Sequence, residues 1–189
     1  MRRLIVLVAL TMIVFGSAFA AQTFEPSPAN LDDLDHSYFY AWGIDYSLPQ
    51  GTYIDSASIA FNQIDNWENE PNVLFVNLLD DAAYGVATGY DGEAEGNYFE
   101  GAGQLLVSYT DDSTGTPVDF TWNFTAPQLT ALNAALANGN FGIGFDPDCH
   151  FYNQGVKLTL NTNVVPEPFS AMLFVVGGGA LAFLKKRKA

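Results

Sequence analysis

The sequence predicts an all-β fold, a two-sheet antiparallel sandwich of jelly-roll-like design carrying one short helix. Three observations lead there. Short runs with two-residue alternation recur along the chain, most regularly at Val118, Phe120, Trp122 and Phe124, with Asp119, Thr121 and Asn123 on the other face. Gly, Pro, Asn and Asp punctuate these runs where turns are needed. Only one segment, with Leu129, Leu132 and Leu136, has helical spacing.

Taken in order, residues 21–35 read as a polar lead or first edge, and residues 36–163 as the sandwich domain. The stretch 36–44 is aromatic and extended. Residues 53–64 alternate at Ile54, Ala57, Ile59 and Phe61 once a slip near Asp55 and Ser56 is allowed, and 73–79 is a buried-type run before Asp80-Asp81. Strands over 84–90 and 104–109 flank an acidic, glycine-rich loop. The run at 118–124 leads into the helix, for which Thr125 is the expected N-cap, Pro127 sits in the first turn and Gly139 serves the C-terminal cap. Phe141, Ile143 and Phe145 then alternate around Gly142 and Gly144, and Val156, Leu158 and Leu160 close the series.

The two ends have a different chemistry. Arg2 and Arg3, an apolar run over 4–15 and the small-x-small site Ala18-Phe19-Ala20 make residues 1–20 a signal peptide, read by the Sec translocon and cut by signal peptidase after Ala20. An apolar run of about 12 residues is too short for a permanent anchor. The arginine pair alone does not make a twin-arginine signal. Residues 164–189 hold Val165-Pro166-Glu167-Pro168, an apolar run over 169–184, and Lys185-Lys186-Arg187-Lys188. That run falls slightly short of the roughly 20 residues of a full span, but basic side chains that snorkel to headgroups let a transmembrane helix cross and keep its end cytoplasmic. Gly177-Gly178-Gly179 would permit close approach of another helix, or serve plain packing.

Pro-Glu-Pro, a short hydrophobic helix and a basic cluster, in that order at a C-terminus, resemble the PEP-CTERM sorting signal of certain Gram-negative bacteria. The resemblance covers residues 165–189. It implies handling in the inner membrane by an exosortase, a cysteine transpeptidase-like enzyme that cuts near Pro-Glu-Pro and releases or re-anchors its substrate. It also implies association with extracellular polysaccharide and biofilm matrix. The segment 139–160 is similar to a stretch near the end of other uncharacterised PEP-CTERM sandwich proteins, which brings no activity with it.

Charge narrows the partners. With both end signals set aside, Lys157 is the only base against 20 acids, a net charge of −19. Nucleic acid and anionic lipid are poor partners for such a body; divalent cations, basic proteins and neutral polysaccharides are better ones. Cys149 is the only cysteine, so no intramolecular disulfide can form.

The residues able to do chemistry are few. Asp146, Asp148, Cys149 and His150 crowd one turn, yet zinc would need three or four nitrogen or sulfur ligands, and His36 is the only further imidazole. The turn reads better as one in which Asp146 and Asp148 bond main-chain groups. A Cys149–His150 catalytic pair is disfavoured because nucleophile and base ordinarily come from separate elements. Calcium is the better cation, with Asp91, Glu93, Glu95, Asp146 and Asp148 as candidate ligands and Asp80-Asp81 and Asp111-Asp112 as further acidic loops, although EF-hand order is absent. Trp67, in a polar stretch, is the candidate for stacking on sugar, while Trp122 reads as core. No catalytic residue is nominated. The expectation is therefore an exported structural or binding component of the cell surface or extracellular polysaccharide matrix, and not an enzyme; the alternatives are a calcium- or carbohydrate-binding module and a small secreted hydrolase.

Overall fold

The computed structural model describes residues 21–165 except 69, 93–95, 112–115 and 138. The expected signal peptide with Ala18 and Ala20, and the sorting tail with Pro166, Glu167, Pro168, Lys185, Lys186, Arg187 and Lys188, lie outside the described residues.

Among the described residues, ten strands and one helix follow in order: β1 (Ala21–Phe24), β2 (Tyr38–Ile44), β3 (Thr52–Asn66), β4 (Asn72–Leu79), β5 (Gly85–Tyr90), β6 (Gly103–Asp111), β7 (Val118–Asn123), α1 (Ala126–Leu136), β8 (Phe141–Pro147), β9 (Phe151–Tyr152) and β10 (Gly155–Val164). One sheet has the order β1-β10-β3-β7, with β9 also on β3, and the other has the order β5-β2-β8-β4-β6. All named strand pairs are antiparallel. Setting β5 and β9 aside, first pairs with last and each next strand inward does the same: β1 with β10, β2 with β8, β3 with β7, β4 with β6. A long hairpin folded over in this way is the winding of a jelly roll.

The alternating apolar residues of both sheets meet between them. Ile59 and Phe61 of β3 and Leu158 and Leu160 of β10 face Ile143 and Phe145 of β8 and Val76 of β4, all essentially without solvent contact. Phe61 meets Phe145 edge to face across the sheets, with ring centroids 5.9 Å apart. Each such side chain contributes roughly 1.5–3 kcal/mol by leaving water.

The slip expected in β3 is a bulge at Asp55, since Ser56 pairs with Asn161 but Ile54 with Thr162. β7 no longer accompanies β3 there, and helix α1 replaces it: Asn133 accepts the Ile54 N–H at 2.7 Å and donates to the Ile54 carbonyl at 2.9 Å. Gln128 fastens the same helix to the second sheet. Its Oε1 accepts from the Thr125 N–H and the Trp122 indole, and its Nε2 donates to the Leu105 and Leu106 carbonyls. The Gln128–Thr125 bond is half of a capping box.

All seven residues of β8 are buried, which strict alternation would not give. The reason is a second, smaller apolar layer on the outer face of this sheet. Gly142 and Gly144 leave room there for Ala82 and Phe99, which pack with Leu79, Phe39 and Ala41. A Cβ at Gly144 would lie 2.7 Å from the Phe99 ring. Tyr98 stacks on Phe39 at 3.9 Å, and Asn97 and Asn77 exchange a pair of amide hydrogen bonds. Residues 97–99, which precede β6, are thereby held against the sheet.

Candidate functional site: an aromatic and acidic ribbon

β3 runs on past the end of β7, and its last residues need another partner. β9 supplies it in the register already set by β10, because Asn62 pairs with Gly155 and Asp65 with Tyr152. A main-chain bond from Trp67 N–H to the His150 carbonyl, 3.2 Å, carries the pairing one step further. On the other side of β9, Leu34 and Phe151 exchange both main-chain bonds, at 2.9 and 2.8 Å. The last strand thus starts earlier than its apolar pattern suggests, with a break at Asn153 and Gln154.

Alternation sorts this three-segment ribbon into two faces. Leu34, Phe151 and Asn66 go inward and are completely buried. Asp65, Trp67, His150 and Tyr152 take the other face. There the Trp67 and His150 rings lie 6.2 Å apart and the His150 and Tyr152 rings 4.9 Å apart, a continuous aromatic row. Trp67 is 54 % exposed and Tyr152 43 %.

The exposed indole is held at its polar edge. Its N–H donates to Cys149 Sγ at 3.0 Å, and the Cys149 thiol donates to Glu68 Oε1 at 3.0 Å. Asn72 donates to the same Glu68 oxygen and to Asn66 Oδ1, and Asn66 donates to the Glu70 carbonyl. Cys149 is therefore more than a small buried apolar residue. Burial, reinforced by Glu68, pushes its thiol up, while the thiol and Asn72 hold the Glu68 carboxyl below its ordinary value. A protonated thiol turned toward Glu68 is a hydrogen-bond donor and not an activated nucleophile.

The carboxylates around the row add a fixed negative edge. Asp35 accepts the Ser37 N–H at 2.8 Å, and that bond, helped by the nearby His36 and His150, lowers its pKa. His36 stands 3.6 Å from Asp35. Among the described residues, no three His, Cys, Asp or Glu side chains converge on one point that could hold a metal.

The remaining candidates are dispersed. Asp148 accepts the Val73 N–H, and Asp146 Oδ2 accepts the Tyr98 N–H at 2.6 Å, so both bond main chain as expected of a turn. Asp146 is nevertheless almost fully buried, and burial together with Asp91 and Asp148 pushes its carboxyl up to about 7. Asp81 accepts from Asn140, and Asp111 is buried against Asn66. Glu93, Glu95 and Asp112 lie outside the described residues. Of the sorting motif only Val165 is described; its N–H bonds the Gly51 carbonyl at 2.8 Å. Trp122 packs partly buried against the core, as its strand pattern predicts.

A depression of about 400 Å³ on the outer face of the first sheet is lined by Glu25, Asn62, Asp119, Gln154 and Lys157, among others. Two hydrogen bonds from Gln63 hold the Asp119 carboxyl below its ordinary value, the opposite of what a general acid needs.

Sequence reasoning singled out Trp67 and the 146–153 turn separately, with no means of joining them. It missed Tyr152 as a surface ring, and Glu68 and Asn72 as supports. The signal was the two-residue alternation in 65–67 and 150–152, too short in either place to stand alone. The chain matches no protein-family model and no curated protein.

Proposed function

We propose that the chain is exported, trimmed at both ends and used outside the inner membrane as a non-catalytic binding component that contacts matrix polysaccharide through Trp67, His150 and Tyr152. Export is supported by the Arg2-Arg3 start and the Ala18-Phe19-Ala20 site, and processing by an exosortase by the Pro166-Glu167-Pro168 tail. The observation that carries the binding role is the Trp67 side chain, about half exposed yet fixed at its indole nitrogen by Cys149. Aromatic faces stack on the apolar face of a sugar ring, and a ring already held in place loses little freedom on doing so. Carboxylates at Asp35, Asp65 and Glu68 supply acceptors for sugar hydroxyls, and the charge of the body turns acidic polysaccharides away.

A glycan array with the native secreted protein tests this reading. Neutral and amino-sugar polymers are expected to bind, with Trp67→Ala losing at least tenfold in affinity. Equal binding by the two proteins, or a preference for sulfated or uronic-acid polymers, would reject it.

A further inference from the structure

Asp146 sits on the outer face of the second sheet, beneath the connection between β5 and β6. It is 2 % exposed. Oδ2 accepts the Tyr98 N–H at 2.6 Å, whereas Oδ1 is shut away from solvent with no well-formed hydrogen bond. The Asp91 carboxyl lies against the same group, and the charge of Asp148 also reaches it. Two carboxyls in contact, one of them buried, need positive charge between them.

The described residues place no lysine or arginine there. Lys157 is the only Lys or Arg among residues 21–165, and it pairs at 3.2 Å with Glu25, on β10 of the other sheet. The neutralising charge must be a proton or come from solution. Close by, Asn97, Tyr98 and Phe99 lie on Asn77, Phe39 and Gly144. Because Asp146 also accepts the Tyr98 N–H, whatever joins Asp91 to Asp146 steadies residues 97–99 on the sheet.

We propose that Asp146 Oδ1 and the Asp91 carboxyl bind a divalent, oxygen-preferring cation of the calcium class, which steadies residues 97–99 on the second sheet. Calcium accepts a mixed shell in which two carboxylates are completed by main-chain carbonyls and water, so a third acidic ligand is not required. The site is independent of the aromatic ribbon, and either can fail without the other.

Thermal unfolding of the full chain near neutral pH, in chelator and then in about 1 mM calcium chloride, tests the proposal. The Tm is expected to rise by about 4 °C with calcium and by much less with magnesium. Asp146→Asn and Asp91→Asn should each remove most of the rise, and Asp55→Asn, at an exposed bulge, should keep it. Amide exchange at 97–99 should slow with calcium in the parent protein alone. Equal calcium shifts in the parent and both site variants would mean diffuse counterion binding and overturn the proposal. So would a parent Tm that ignores calcium, which would leave the pair as a proton site.

Discussion

Replacing Asp146 by asparagine should remove a pH-dependent weakness from the domain. In the folded protein this carboxyl is pushed up to about 7, chiefly by burial, against an ordinary value of 3.8. Folding therefore favours the protonated acid. Stability is fully kept below pH 3.8, falls as the pH climbs toward 7, and stays low beyond it. The full loss is about 4 kcal/mol, a large share of the 5–15 kcal/mol that holds a domain together. Asparagine cannot ionise, yet it keeps an acceptor for the Tyr98 N–H and offers a donor to Asp91. Urea unfolding in chelator should give similar midpoints for parent and Asp146→Asn near pH 4. By about pH 8 the variant should unfold at higher urea, by about 2 M. Parallel profiles across that range would refute the reasoning, because the two proteins differ in this one carboxyl alone.

Gly144→Ala should cost about 1–3 kcal/mol and lift the buried Phe99 from the sheet, seen as faster proteolysis between β5 and β6, because the new methyl meets the Phe99 ring. Gln128→Ala should cost about 2–4 kcal/mol in urea unfolding, since it strands the Leu105 and Leu106 carbonyls and the Trp122 and Thr125 donors together. Cys149 should alkylate at least tenfold more slowly near pH 8 in the folded than in the unfolded protein, its thiol being pushed up by burial; equal rates would contradict the Trp67–Cys149–Glu68 chain. Intact mass of the secreted protein should lack residues 1–20 and the tail beyond the Pro166–Pro168 region; a full-length mass with the exosortase-like enzyme present would count against the proposed processing.

Much of the sandwich was legible because a strand buried on one face writes its period into its residues, as 118–124 does. The bulge at Asp55 was legible too, as a slip in that period. Two-sided burial was not. In β8 the outward positions include Gly142 and Gly144, whose message is room for Ala82 and for Phe99, the latter 45 positions before Gly144 in a loop that reads as solvated and acidic. β9 escaped for a similar reason, since two residues carry no period and only the register shared with β10 makes them a strand. The candidate site was legible residue by residue and illegible as an assembly. Trp67 stood out as a tryptophan among polar residues, but its contact with Cys149 spans 82 positions and depends on β3 and β9 pairing.

The ribbon's role as one aromatic platform is tested most directly by a double-mutant cycle on Trp67 and Tyr152, with affinity for a neutral polysaccharide as the readout. Each single change to alanine should weaken binding about tenfold or more, and the double variant should lose less than the product of the two, because rings bridged by His150 grip one ligand. Unchanged affinity in both single variants, with the fold intact, would contradict the account.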